Sequence, residues 1–229
     1  MLSDILFDLD GTITDPKEGI TRCIQFSLGQ LGLPSPGADQ LTWCIGPPLR
    51  GSLSRLLNTA DDALLDRALA YYRKRFSETG IYENALYPGI IPALRRIRRA
   101  GFRVFLATSK PRVYATRILD HFELTPFFQA IHGSELDGRL SDKGELVAHI
   151  LEFENLNPKA TLIVGDRFQD IFAGKKNGLM TAAVTYGYGS REEITASNPD
   201  VIFESPSDQA AFLESKAAPS HAMWPTPSQ

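Results

Sequence analysis

Asp8 and Asp10 stand one residue apart at the end of the apolar run Ile5-Leu6-Phe7, and Gly11 and Thr12 follow them. A brief continuous apolar run reads as a buried strand, and ligands of open α/β sheets sit just beyond the carboxyl ends of strands. Two carboxylates this close are unfavourable unless a cation or a shared proton relieves them. The pattern points to a catalytic acidic centre; the plainer alternative is a strand terminus with two solvated acids. A second acidic pair, Asp166 and Asp170, follows another apolar strand, Thr161-Leu162-Ile163-Val164-Gly165. Thr108 and Ser109 close the apolar run Phe102 to Ala107. A hydroxyl at a strand terminus, among backbone amides, suits a phosphate oxygen, although Thr and Ser also serve plain turns. Lys143 opens a helix, where a lysine is unfavourable to the helix dipole and is ordinarily solvated.

The elements that must position these residues are readable from periodicity. Asp15, Pro16 and Glu18 suit the cap, first position and capping-box acid of a helix that Ile20, Ile24, Leu28 and Leu31 continue to Gly32. Further helices are expected from about Leu49 to Leu57 and from about Asp61 to Glu78. Residues 15–85 therefore read as all-helical. From Tyr87-Pro88-Gly89 onward, helix and strand alternate. Strands are expected at Phe102 to Ala107, Phe128 to His132, Thr161 to Val164, Thr181 to Val184 and Val201 to Phe203. Helices are expected at Ile90 to Arg99, Arg112 to Phe122, Gly144 to Glu154 and Ile171 to Asn177. Strands separated by helices imply a parallel sheet wrapped on both faces, an α/β fold. The segment 215–229, rich in Ala, Pro and Ser, reads as a flexible tail.

Composition narrows the function classes. The 229 residues hold one substantial core plus a smaller accessory unit. A net charge of −3 favours neither a nucleic acid polymer nor an anionic membrane surface as partner. No apolar stretch approaches the ~20 residues of a membrane span. Asp4, Asp8 and Asp10 interrupt the N-terminal apolar run, so no signal peptide is read and a cytoplasmic location is expected. Cys23 and Cys44 are expected as reduced, packed thiols. The four histidines are scattered without ligand spacing. Monomer and dimer both stay open.

The stretch Asp8-Leu9-Asp10-Gly11-Thr12 resembles the first motif of the haloacid dehalogenase (HAD) superfamily, and three further motifs of that family have counterparts here in order. They are the strand ending at Thr108, Lys143 at a helix start, and Gly165-Asp166 with Asp170. The resemblance covers the chain up to about residue 214. It implies a Rossmann-like, doubly wound parallel core made of residues 1–14 and 86–214, with a helical cap of the C1 type inserted at 15–85. Finer features resemble the branch of phosphoglycolate-phosphatase-like proteins named 5′-nucleotidases. They include Ile45-Gly46-Pro47-Pro48-Leu49, Gly133-Ser134-Glu135-Leu136-Asp137-Gly138 and Tyr186-Gly187-Tyr188-Gly189-Ser190. Gln169 departs from the branch, which carries histidine there.

The resemblance implies a Mg²⁺-dependent phosphatase. Asp8 would be the nucleophile that forms an aspartyl phosphate, and Asp10 the general acid and base. Asp8, Asp166 and the backbone carbonyl of Asp10 would hold the metal, with Asp170 beside them. Thr108, Ser109 and Lys143 would bind phosphate. The expected partner is a small phosphorylated metabolite, nucleoside 5′-monophosphates first and 2-phosphoglycolate second. A sugar phosphomutase of the β-phosphoglucomutase type shares both aspartates and is the alternative enzyme class. A phosphate-binding module is the non-enzymatic alternative, although a scaffold has no need of Asp10. Pro48, Leu49 and Arg50 are the expected specificity residues of the cap; Arg22 and Arg50 could meet a substrate anion, although an arginine on a helix is ordinarily solvated. Two connections, near Ile13 to Asp15 and Tyr82 to Gly89, would let the cap move as a lid.

Overall fold

The computed structural model describes residues 1–217. The chain opens with β1 (Asp4–Phe7) and β2 (Thr14–Asp15), followed by α1 (Lys17–Gln30), α2 (Leu49–Leu57), α3 (Asp62–Arg75) and β3 (Ala85–Leu86). Helix and strand then alternate: α4 (Ile90–Arg99), β4 (Arg103–Pro111), α5 (Arg112–His121), β5 (Ala130–Ser134), α6 (Lys143–Phe153) and β6 (Thr161–Gly165). The last elements are α7 (Phe168–Lys176), β7 (Met180–Val184), α8 (Arg191–Ser197), β8 (Val201–Phe203) and α9 (Pro206–Lys216).

Six parallel strands form one sheet in the order β5-β4-β1-β6-β7-β8. The chain winds outward from β1 through β4 to β5, then crosses back to β6 on the other side. The strand order therefore reverses at β1, and the crevice at such a switch point is where an open α/β sheet binds its ligand. Phe7 pairs with Leu106 on one side and Val164 on the other. Continuing that register puts Asp8 level with Gly165 and one residue short of Thr108 and Asp166. Every residue of β1 and β6 is buried, because helices cover both faces of the sheet. One face places Ile5, Phe7, Val104 and Leu106 in the larger core; the other places Leu6, Phe105 and Ile163 against Leu146 and Val147 of α6.

The helical insert between β2 and β3 shares that larger core. Ile20, Ile24, Tyr72 and Phe76 pack in the same cluster as Leu9 and Ile13, while Leu53, Leu65, Ala68 and Leu69 form a small cluster of their own. The sequence suggested an all-helical segment, but it is not helical to its ends. Its two connections pair with each other as a short antiparallel ribbon, Thr14 with Leu86 and Asp15 with Ala85. Two-residue strands are too short to show a period.

Other boundaries shift for identifiable reasons. Helix α1 starts at Lys17, so Pro16 is the cap and Asp15 Oδ1 accepts from the Lys17 amide at 3.1 Å from one place further out. Helix α3 passes into a π turn, Phe76–Gly80. There Gly19 and Gly80 bring two backbones close: a methyl on Gly19 would lie 2.1 Å from the Gly80 carbonyl oxygen. Helices α8 and α9 were not expected. Ser190 and Ser205 cap them, accepting from the amides of Glu193 and Asp208. Helix α9 runs through Ser215 and Lys216, two residues assigned to the tail on sequence; residues 218–229 of that tail lie outside the described residues. Both cysteines are free and buried, as expected, and burial pushes each thiol up to about 11. Among the described residues, no helix is long and apolar enough to cross a membrane.

Candidate active site

Asp8 emerges from β1 into the crevice, its amide donating to the Val164 carbonyl at 2.9 Å. Oxygens of Asp8, Asp166 and Asp170 lie within 4.8 Å of one another, and all three residues are buried. Lys143 Nζ, contributed by the start of α6, lies 2.8 Å from both Asp8 Oδ1 and Asp170 Oδ1. Burial opposes its charge, but Asp170 and Asp8 outweigh burial and raise its pKa above the ordinary lysine value. The sequence placed this lysine at an unfavourable dipole end; two buried carboxylates are what make the position tenable.

One ammonium does not neutralise three carboxylates. Asp166 is fully buried; its Oδ2 accepts from the Tyr188 amide at 2.6 Å, while its Oδ1 has no partner. Burial, then Asp8 and Asp170, push its pKa far above the usual carboxylate range. Burial likewise raises Asp170, whose Oδ2 accepts from the Arg167 amide. A buried unpaired acceptor is costly, and hard oxygen donors in this number suit Mg²⁺, which needs only one or two protein carboxylates. The donor set therefore fits the metal that the sequence implies. Close packing fixes it: a methyl on Gly11 would meet Asp166 Oδ2 at 2.1 Å, and one on Gly187 would meet Asp166 Cβ at 2.3 Å. Gly11 also has φ +86, which disfavours any side chain.

Asp10 is buried too, but its carboxylate is not part of that triad. Lys110 Nζ holds it at 2.8 Å on Oδ1 and 2.7 Å on Oδ2. Burial raises the Asp10 pKa and Asp8 adds to it, against the opposing pull of Lys110. Lys110 also lies 5.0 Å from the Phe76 ring centroid, so it joins the carboxyl end of β4 to the insert. The sequence reading gave Lys110 no role. Thr108 is buried at the end of β4, and its Oγ1 accepts from the Lys110 amide at 3.2 Å. The Ser109 carbonyl accepts from Ser134 Oγ at 2.8 Å. The chain thus brings Asp8, Asp10, Thr108, Ser109, Lys143, Asp166 and Asp170 to one end of the sheet.

A cavity of about 400 Å³ lies between that end and the insert, and Asp10, Ser109 and Lys110 line its floor. Leu49, Leu69, Tyr72, Phe76 and Tyr114 supply apolar wall, and Pro48 and Arg50 border it. Arg50 pairs with Asp62 and Asp66 at 2.6 and 2.5 Å, exposed ion pairs that a substrate anion would have to displace. Arg22 does not line the cavity; it pairs with Glu18 and Glu83 on the ribbon side of the insert. Of the histidines, His132 pairs with Glu154 at 2.9 Å on the β5 side of the sheet.

A family model described as haloacid dehalogenase-like hydrolase matches residues 5–184, the span that holds every residue of this cluster. The chain belongs to that family. It is similar to a Pseudomonas aeruginosa protein named 5′-nucleotidase, 43% identical over 196 residues, which cover 86% of this chain and 88% of that one. A Mycobacterium tuberculosis protein named tyrosine-protein kinase PtkA is 35% identical over 198 residues, 86% of this chain and 67% of the other. An Aquifex aeolicus protein named phosphoglycolate phosphatase is 30% identical over 210 residues, 92% and 96% of the two chains. The crystal structure of a predicted phosphatase from Clostridium acetobutylicum superposes with a TM-score of 0.89 at 37% identity, covering 93% of this chain and 98% of that one. With family and relatives together, this HAD-like hydrolase is a phosphatase.

Proposed function

We propose that this HAD-like phosphatase is a Mg²⁺-dependent phosphomonoesterase that forms a phosphoryl intermediate on Asp8 and acts on nucleoside 5′-monophosphates. One observation carries the reading: Asp8 shares Lys143 with Asp170, beside the unpartnered Asp166 Oδ1, while Asp10 faces the cavity on a different cation. Two carboxylates in such different surroundings suit two different roles.

Asp8, Asp166, Asp170 and the Asp10 backbone carbonyl would hold Mg²⁺. Bound there, the ion would offset the carboxylate charge and the charge of a phosphoryl group. An Asp8 carboxylate oxygen attacks phosphorus, forming an O–P bond as the bond to the leaving oxygen breaks. Lys143, Thr108 and the amides near Ser109 stabilise the charge on the remaining phosphoryl oxygens. Asp10 gives its proton to the leaving oxygen, then takes one from the water that attacks phosphorus and frees Asp8. For Asp10 to act so, Lys110 must let the carboxylate take up a proton, and burial favours the protonated form.

Residues 15–85 act as the cap and the β2–β3 ribbon as its hinge, with the left-handed Gly89 (φ +89) at the ribbon's exit. The apolar and aromatic walls favour an uncharged, bulky leaving group such as a nucleoside. 2-Phosphoglycolate is the weaker candidate, because its small, charged leaving group would leave that apolar wall unfilled. Alanine at Pro48, Leu49 or Arg50 should reorder kcat/KM across a panel of phosphomonoesters by about tenfold or less, while acetyl phosphate changes little. Equal loss on every substrate would mean that the loop supports closure and reads nothing.

Phosphate release from that panel, with and without chelator, tests the proposal as a whole. Chelation should abolish release and Mg²⁺ should restore it, and Mg²⁺ should raise Tm because it binds the folded acids alone. Release that persists without metal, or a Tm that ignores Mg²⁺, would contradict the metal assignment. Phosphate returned to a sugar, with none released to water, would favour the mutase.

A further inference from the structure

Arg167 follows Asp166 directly, yet its side chain leaves the acidic cluster and reaches the insert. Nη1 donates to the Ile45 carbonyl at 2.5 Å, and Nε donates to Glu193 Oε1 at 2.9 Å. Glu193 is itself anchored, since its Oε1 also accepts from the Phe168 amide at 2.9 Å and its own amide donates to Ser190 Oγ. Ile45 is fully buried, so the carbonyl sits on a fixed residue. Gly46 then turns with φ +100, and a methyl there would come within 2.9 Å of Arg167 Cγ. The turn lies against the arginine stem and leads directly into Pro47, Pro48 and Leu49 along the cavity. The Arg167 amide meanwhile donates to Asp170 Oδ2. A single residue therefore ties the acidic triad to the loop that borders the leaving-group space.

We infer that Arg167 is a positioning residue for leaving-group selection: through the Ile45 carbonyl it sets the turn at residues 46–48 and the start of α2 at a fixed height above the acidic cluster. The inference rests on the phosphatase reading for its activity arm only. A guanidinium reaches both acceptors at once with its planar fork, whereas an ammonium offers no such fixed pair. The acceptor is a backbone group, so the Arg167 contact does not depend on which side chain stands at position 45, while the buried Ile45 side chain anchors the residue from the core side. Two other arginines also cross to or from the insert through carbonyls, Arg73 to Leu136 and Arg117 to Ser77. Neither is next in the chain to a residue of the triad, which makes Arg117 a suitable control.

The test compares Arg167→Lys and Arg167→Ala with Arg117→Ala. In both Arg167 variants, hydrogen exchange in peptides covering residues 43–53 should quicken while the sheet strands keep their protection. The ratio of kcat/KM for a nucleoside 5′-monophosphate to that for acetyl phosphate should fall about tenfold, chiefly through KM, as expected for one lost hydrogen bond to a charged donor. Arg117→Ala should leave that ratio within about twofold of wild type, the scatter expected of an uncoupled site. Unchanged exchange at 43–53 would overturn the clamp, whatever the protein's substrates are. Faster exchange with an unchanged ratio, or equal loss on both substrates, would overturn the positioning role. A wild-type protein that turns over neither phosphate would defeat the phosphatase reading and leave the exchange result to judge the clamp by itself.

Discussion

Asp8→Asn is expected to lower phosphate release by about 10⁴-fold or more, the scale seen when a nucleophile is removed from a covalent mechanism. An amide oxygen is a poor nucleophile, and the change also withdraws a ligand charge from the triad. Folding should survive. Asp8, Asp166 and Asp170 crowd three carboxylates around one ammonium, and Lys143 keeps Asp170 at 2.8 Å when Asp8 is neutralised. Without metal, the variant should therefore melt no lower than the wild type, as measured by thermal denaturation beside steady-state phosphate release. Near-normal turnover in a folded Asp8→Asn protein would end the covalent account.

Asp10→Asn should cost about 10²–10⁴-fold, the range of a positioned general acid or base. The loss should appear in both halves of the reaction, because the same position protonates the leaving oxygen and later deprotonates water. Esters with poor leaving groups should suffer most, since they depend most on protonation. Acetyl phosphate, with its good leaving group, should suffer least in the first step. The variant also leaves Lys110, whose side chain is 7% exposed, without its anion. A drop in Tm of a few degrees is expected for that reason, in contrast to Asp8→Asn. Rates across a leaving-group series, in single and multiple turnover, separate the two half-reactions. Equal rates for Asp10→Asn and wild type on alkyl phosphates would remove Asp10 from proton transfer.

The contrast between those aspartates shows what a linear sequence can carry. The position of Asp8 was legible because an apolar strand has to end where its sheet meets solvent, and motif spacing did the rest. Asp166 and Asp170 followed by the same logic on β6. Lys143 was legible only through the resemblance, since its physical justification is a pair of carboxylates elsewhere in the fold. Lys110 was not legible at all. Its partner, Asp10, lies 100 residues away, and the meaning of the lysine comes entirely from that contact. Arg167 stood out only as part of the Gly165-Asp166-Arg167 motif, and its role was hidden in the same way, with its loop acceptor 122 residues away.

Fold elements divide along related lines. Strands β1, β4 and β6 were found because both faces are covered, which leaves an unbroken apolar run. The β2–β3 ribbon was missed because two residues carry no period. Helix α8 was missed although Ser190 and Glu193 form a recognisable start, since only Ile194 within it is buried and no apolar stripe follows. Arg22 was a reasonable anion candidate by residue type, but Glu18 and Glu83 already hold it, and no local rule predicts a partner 61 residues distant.

The most direct measurement of the central claim is to stop the reaction chemically during turnover. Acid quench of the Mg²⁺-loaded enzyme with substrate, followed by borohydride reduction and peptide mass spectrometry, reports which carboxylate carried the phosphoryl group. The predicted result is homoserine at position 8, absent without substrate and absent from Asp8→Asn. Phosphate released at full rate with no modified residue, or with the label on any carboxylate other than Asp8, would contradict it.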